Sequence, residues 1–110
     1  MEHSEQQLYT LSMWSVRAGN EEAFIRCWRE FAEWTLEHHP GAVEGEARLL
    51  QNREQAGLFV SFRPWKDTPS IEAWRESPEF MDSITEAMKL CDDVQPHLLK
   101  TVAYARQGSV

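Results

Sequence analysis

A chain of 110 residues, 42% of them hydrophobic, is sized for one domain that buries roughly two thirds of its unfolded surface. Its formal charge of -7, with 11 basic residues scattered among 18 acidic ones, argues against nucleic acid, which needs clustered Lys and Arg to neutralise phosphates. No apolar run approaches the ~18 residues of a membrane span, and Met1 to Gln7 carries neither a basic nor an apolar signal region, so the expectation is a cytoplasmic protein with no membrane contact. Residues 1–7 read as a flexible tail, 8–106 as the domain and 107–110 as a second tail.

Leu8 to Val16 reads as a strand, with Leu8, Thr10, Ser12, Trp14 and Val16 in one phase and Tyr9, Leu11, Met13 and Ser15 in the other. Asn20 is placed to cap a helix from about Glu21 to about His38, with Glu21 and Glu22 complementing its dipole. Phe24, Cys27, Trp28, Phe31 and Thr35 form its buried stripe, and Pro40-Gly41 ends it. His38 and His39 are expected to meet the helix's last carbonyls.

Ala42 to Asn52 is predicted as a weaker strand with Gly45 at a bulge. A short polar connection leads to a third strand, Leu58 to Trp65, so the two should pair as an antiparallel hairpin. Asp67 or Thr68 caps a short helix, and Ser77-Pro78 repeats the cap-then-proline signal to start another that reaches about Leu90. Asp92, Asp93 and Pro96 read as the exit from that helix, and His97 to Ala105 as the last strand. Cys27 and Cys91 sit far apart within amphipathic patterns and read as free, buried thiols.

The order is βαββαβ, an α+β, ferredoxin-like arrangement with an antiparallel sheet. Neither phase of its strands is free of large apolar residues, so the sheet face away from the helices needs a cover, and a homodimer supplies one.

Three local patterns accompany this order: Pro40-Gly41 after the first helix, the strand end Phe62-Arg63-Pro64-Trp65, and Trp74-Arg75-Glu76-Ser77-Pro78-Glu79-Phe80 at the helical kink. With them the chain resembles, from about Leu8 to Ala105, the antibiotic biosynthesis monooxygenase superfamily. The resemblance implies a dimeric α+β barrel with one pocket per subunit. It brings cofactor-independent oxygenases of polycyclic phenols and quinols, haem-degrading enzymes and a sugar-derivative isomerase into view. The haem-degrading pattern matches only at Trp65, because Ser12 falls near the strand-one asparagine position and Ile84 near the position of the iron ligand. The quinol-oxidising branch carries histidines around the kink, where this chain has Trp74 and Glu79.

Oxygenation without a cofactor requires a dry pocket, a base, and donors for an oxyanion and a developing peroxide. The candidates for catalysis are Trp65, Arg63, Ser12 and His97, the last as a neutral-pH base. For substrate binding they are Trp65, Ser61, Trp14, Trp28, Tyr9 and Tyr104, with the choice between the two tyrosines left open by the register. Arg63 reads equally as an ion-pair residue and as a substrate contact. The functional readings are a cofactor-independent monooxygenase of a phenolic or quinol-like molecule using O₂, a non-catalytic dimeric binder of a small apolar or aromatic ligand, and, last, a haem protein. No metal site is expected, and no phosphate loop, zinc spacing or hydrolase elbow occurs.

Overall fold

A computed structural model describes residues 7–43 and 46–105. The elements are β1 (Leu8–Val16), α1 (Glu21–His38), β2 (Arg48–Gln51), β3 (Leu58–Trp65), α2 (Thr68–Arg75), α3 (Pro78–Met88) and β4 (Cys91–Lys100). All strand pairings are antiparallel, and the sheet order is β2-β3-β1-β4. This is the ferredoxin-like order anticipated from the pattern of elements. The two tails outside these residues and the expected bulge at Gly45 lie beyond the described part of the chain.

Register decides which side chains share a face. Thr10 pairs with Arg63, Ser12 with Ser61 and Trp14 with Phe59, so these six belong to the inner phase, toward the helices. Tyr9, Leu11 and Met13 pair with Pro64, Phe62 and Val60 in the outer phase. Buried residues follow the inner phase: Trp14, Val16 and Phe59 meet Phe24 of α1, Ala87 of α3 and Cys91 of β4. Phe24 is the centre of this core, its ring 5.0 Å from Trp14 and 5.1 Å from Phe59.

The caps depart from expectation at one helix and agree at two. Asn20 makes no side-chain cap to α1, because its amide Nδ2 is turned away to donate to the Leu90 carbonyl at 3.4 Å. The preceding turn instead depends on Gly19, whose φ of 94° disfavours a side chain and whose N–H donates to Glu21 Oε1 at 2.9 Å. At α2 the Asp67 carboxylate accepts from the N–H of Ser70 at 2.9 Å. These bonds from Ser70 hold the Asp67 carboxyl below its ordinary range. Ser77 caps α3, its Oγ accepting from Phe80 N at 3.1 Å and donating to the Trp74 carbonyl at 2.8 Å. At the end of α1, His38 Nδ1–H donates to the Trp34 carbonyl at 2.9 Å, as its position there suggests.

Two strands differ from the sequence expectation. The second strand is confined to Arg48–Gln51, and Ala42 contributes only an isolated bridge to Trp65. Gly41 lies where an added Cβ would overlap the Ser70 side chain, so Pro40-Gly41 brings the chain close to α2, and the Gly41 carbonyl accepts from Lys66 N at 2.8 Å just past β3. The last strand starts at Cys91, six residues before the expected His97. Asp92, Asp93 and Pro96 do not break it because β4 is an edge strand, where a proline sacrifices no ladder bond and acidic side chains reach water. Arg17 anchors its start, Nε donating to Asp92 Oδ1 at 3.0 Å and Nη1 to the Lys89 carbonyl at 2.7 Å. Both cysteines are free, Cys91 buried and Cys27 half-buried.

The outer sheet face carries an apolar patch, with Arg48, Asp93, Gln95 and His97 in the same phase. Leu50 is 50% exposed, Met13 47% and Leu99 43%, around the half-buried Tyr9, Leu11 and Phe62. Among the described residues no helix is long and apolar enough to cross a membrane.

Candidate functional site: a cavity between sheet and helices

The helices stand off the inner sheet face and leave a cavity of about 600 Å³, within the usual range of small-molecule sites. Its floor is polar and comes from the strands: Thr10 and Ser12 of β1, Ser61 and Arg63 of β3. Its walls are apolar. Trp28 and Phe31 face it from α1, Trp74 from α2, Phe80 and Ile84 from α3, and Val94 and Leu98 from β4. The stripe that makes α1 amphipathic therefore serves as both core and cavity wall.

Polar groups of the tryptophans are spent on fixing this shell. Trp14 Nε1–H donates to Ser61 Oγ at 2.9 Å, which leaves the serine's own proton free of any acceptor among the described hydrogen bonds. Trp74 Nε1–H donates to Thr35 Oγ1 at 3.0 Å, and Thr35 in turn donates to the Phe31 carbonyl at 2.9 Å. Thr35 is a fully buried hydroxyl on an otherwise apolar stripe, and this two-sided bonding satisfies it. Phe31 stacks on Trp74 at 5.7 Å and Phe80 meets the same indole edge-on at 4.7 Å, so the three rings act as one rigid wall.

Of the candidates taken from the sequence, Ser12, Ser61, Arg63, Trp14 and Trp28 come together around the cavity. Trp65 does not border it. That indole is fully buried behind Trp74, ring centroids 4.9 Å apart, and its Nε1–H donates to Thr10 Oγ1 at 2.9 Å. Tyr9 belongs to the outer phase, between Pro64 and Leu99, and packs edge-on to Phe62. Tyr104 lies beyond β4, exposed, so neither tyrosine faces the cavity. His97 touches its rim, yet it pairs with Leu11 in the outer phase, which turns its ring away from the floor. The wall residues Trp74, Phe80 and Ile84 were not among the binding candidates, although Trp74 and Phe80 belonged to the kink pattern.

Electrostatically the site is one-sided. Among the described residues no Asp or Glu lines it, while Arg63 and, more exposed, Arg75 do. Burial pushes the Cys27 thiol up, with Glu30 and Glu86 adding to the effect, so it is a neutral wall group and not a nucleophile near pH 7. Burial also lowers the Arg63 guanidinium to about 10, which leaves it charged at neutral pH. Among the described residues no group of His, Cys, Asp and Glu could hold a metal ion.

The same architecture recurs in solved structures. SnoaB of Streptomyces nogalater, described as a cofactor-independent oxygenase, superposes with a TM-score of 0.79 at 18% identity, covering 94% of this chain and 99% of that one. A conserved protein of Methanosarcina mazei gives 0.79 at 16% identity, covering 89% and 95%. A Pseudomonas aeruginosa protein gives 0.75 at 20%, covering 93% and 100%. At these identities the likeness establishes the fold. A search of curated proteins finds no match. The family model for antibiotic biosynthesis monooxygenase, however, matches residues 8–85, which takes in β1 through most of α3 and all of the cavity's floor. On that match and this fold, the chain belongs to the antibiotic biosynthesis monooxygenase family.

Proposed function

We propose that the protein is a cofactor-independent monooxygenase of a small phenolic or quinol-type aromatic, acting as a homodimer with one pocket per subunit. The observation that carries this reading is the cavity itself: aromatic walls, a hydroxyl-lined floor and, among the described residues, no carboxylate lining it. Family membership and the likeness to a cofactor-independent oxygenase support monooxygenase-type chemistry.

In such a reaction the substrate supplies the electrons. An activated ring CH₂, as in an anthrone, loses a proton to leave a delocalised anion, which passes one electron to O₂. The radical pair joins through a C–O bond, the peroxide takes up a proton, and loss of water leaves a ketone, so that CH₂ + O₂ gives C=O + H₂O. The chain's part is to exclude water, hold the ring against Trp28, Phe31 and Trp74, and donate from Ser12 and Ser61 to oxygen atoms that gain charge. With no base aimed from the walls, stabilising the anion acidifies the substrate, and the proton leaves to solvent. Incubation of 1,8-dihydroxyanthrone under ¹⁸O₂ should place one label in the new carbonyl; a product labelled only from water would rule the reaction out.

A second reading, a non-catalytic binder using the same cavity, is favoured by one observation: His97, the candidate base, sits in the outer phase. Haem ranks below both, since Ile84 lines the cavity where the resemblance places an iron ligand.

The homodimer forms through the outer sheet face, where Leu11, Met13, Leu50 and Leu99 need a cover. A stable interface buries roughly 800 Å² per partner. Light scattering should give twice the 12.8 kDa chain mass, and Leu11→Lys, which puts a charge in the middle of that face, should give the monomer. A wild-type monomer at micromolar concentration would remove the dimer.

A further inference from the structure

Arg63 is 6% exposed, on the inner phase of β3, and lines the cavity floor. One of its terminal nitrogens, Nη2, donates to the main-chain carbonyl of Ala32 in α1 at 3.1 Å. The other, Nη1, is buried and has no hydrogen-bond partner. A buried cation is ordinarily matched by a carboxylate, because desolvating it without a counter-charge is costly. Among the described residues no Asp or Glu lines the cavity. The bond to the Ala32 carbonyl ties the guanidinium to α1.

Thr10 lies directly opposite Arg63, and Ser61 lies two residues back on the same strand, about 6.6 Å away at strand rise. The oxygen of each is already an acceptor, from Trp65 and Trp14, which leaves their hydroxyl protons to donate. A cluster of donors without an acceptor or an acid is a receptor for a negatively charged oxygen.

We propose that the Arg63 guanidinium anchors an oxyanion of the ligand, so that the cavity selects flat aromatic acids, carboxylate, phenolate or enolate, over neutral aromatics of the same shape. The anion sits on the strands at Arg63 and the rings extend between Trp28, Phe31 and Trp74. Exposed Arg75, also at the cavity, adds a second positive group that draws such ligands in. This deepens the oxygenase reading by assigning the group that holds the oxyanion formed from its substrate, and it rests on that reading of the cavity as a small-molecule site.

Isothermal titration with 2-naphthoate and its neutral isostere 2-naphthamide tests the assignment without turnover. Wild-type protein should bind the acid at least about tenfold more tightly. Arg63→Met should lose about thirtyfold or more in affinity for naphthoate while holding naphthamide within threefold, and Arg63→Lys should retain part of the preference. Because the wild-type preference is measured directly, the test stands even if Arg63→Met does not fold. Equal affinity for the two probes, no binding of either, or equal loss of both in Arg63→Lys would overturn the proposal. Preference for the acid with no oxygen uptake would sink the oxygenase reading alone, and oxygen uptake without the preference would sink this one alone.

Discussion

Trp65→Ala should lower the unfolding free energy by about 3–5 kcal/mol, the usual cost of truncating a fully buried aromatic. For a domain of this size that corresponds to a fall in Tm of more than about 10 °C. Two losses combine: a void opens behind Trp74, whose ring rests 4.9 Å from that of Trp65, and the Thr10 hydroxyl loses the donor at 2.9 Å. Trp65→Phe keeps most of the volume and should still cost about 1–3 kcal/mol for the stranded Thr10 oxygen and the smaller ring. A Trp65 that lined the site, as its candidacy from the sequence implies, would give the opposite outcome, in which the phenylalanine variant weakens ligand binding and leaves stability alone. The geometry reverses that expectation because the indole N–H is spent inside the protein. Thermal denaturation beside ligand titration checks it; unchanged Tm with lost affinity would restore Trp65 to the pocket.

Most of the fold was legible because its signals are periodic. The stripe from Phe24 to Thr35 matches the boundaries Glu21–His38 closely, and the cap-then-proline pairs at Asp67 and Ser77 mark both later helices. The start of β4 was not legible, since Asp92, Asp93 and Pro96 are breakers in isolation and are tolerated only because the strand lies at the sheet's edge. That is a property of topology, which no local window contains. The floor of the site could be read from the phase of Ser12, Ser61 and Arg63. Apart from Trp28 its walls could not, since Trp65 ends β3 and Trp74 lies near the end of α2, and only packing decides that the second faces the cavity and the first stands behind it. The unpartnered nitrogen of Arg63 is likewise invisible in sequence, because an acid near it in space is what is missing.

Ala32→Trp should abolish function while sparing the fold. Ala32 is half-buried on α1, lines the cavity and contributes to Arg63 only through its main-chain carbonyl, which the substitution leaves in place. An indole there takes the space between Phe31 and the strand floor that a flat ligand would occupy. Affinity for an aromatic ligand should fall by about a hundredfold or more, equivalent to roughly 3 kcal/mol. Because the added ring enters open volume and not packed core, the stability cost should stay below the roughly 1–3 kcal/mol of true overpacking. Titration and thermal melts on the same preparation give both numbers; retained affinity with a stable fold would place the ligand elsewhere.

The central claim is that this cavity carries out oxygenation with no group beyond the chain, the substrate and O₂. Oxygen uptake by chelator-treated protein supplied with 1,8-dihydroxyanthrone measures it most directly, with Ala32→Trp as the blocked control for spontaneous oxidation. Uptake should run well above the control, with one O₂ consumed for each anthraquinone formed and no hydrogen peroxide released. Uptake equal to the control while the anthrone still binds in the cavity would contradict it, and would leave the protein a binder of small aromatic molecules.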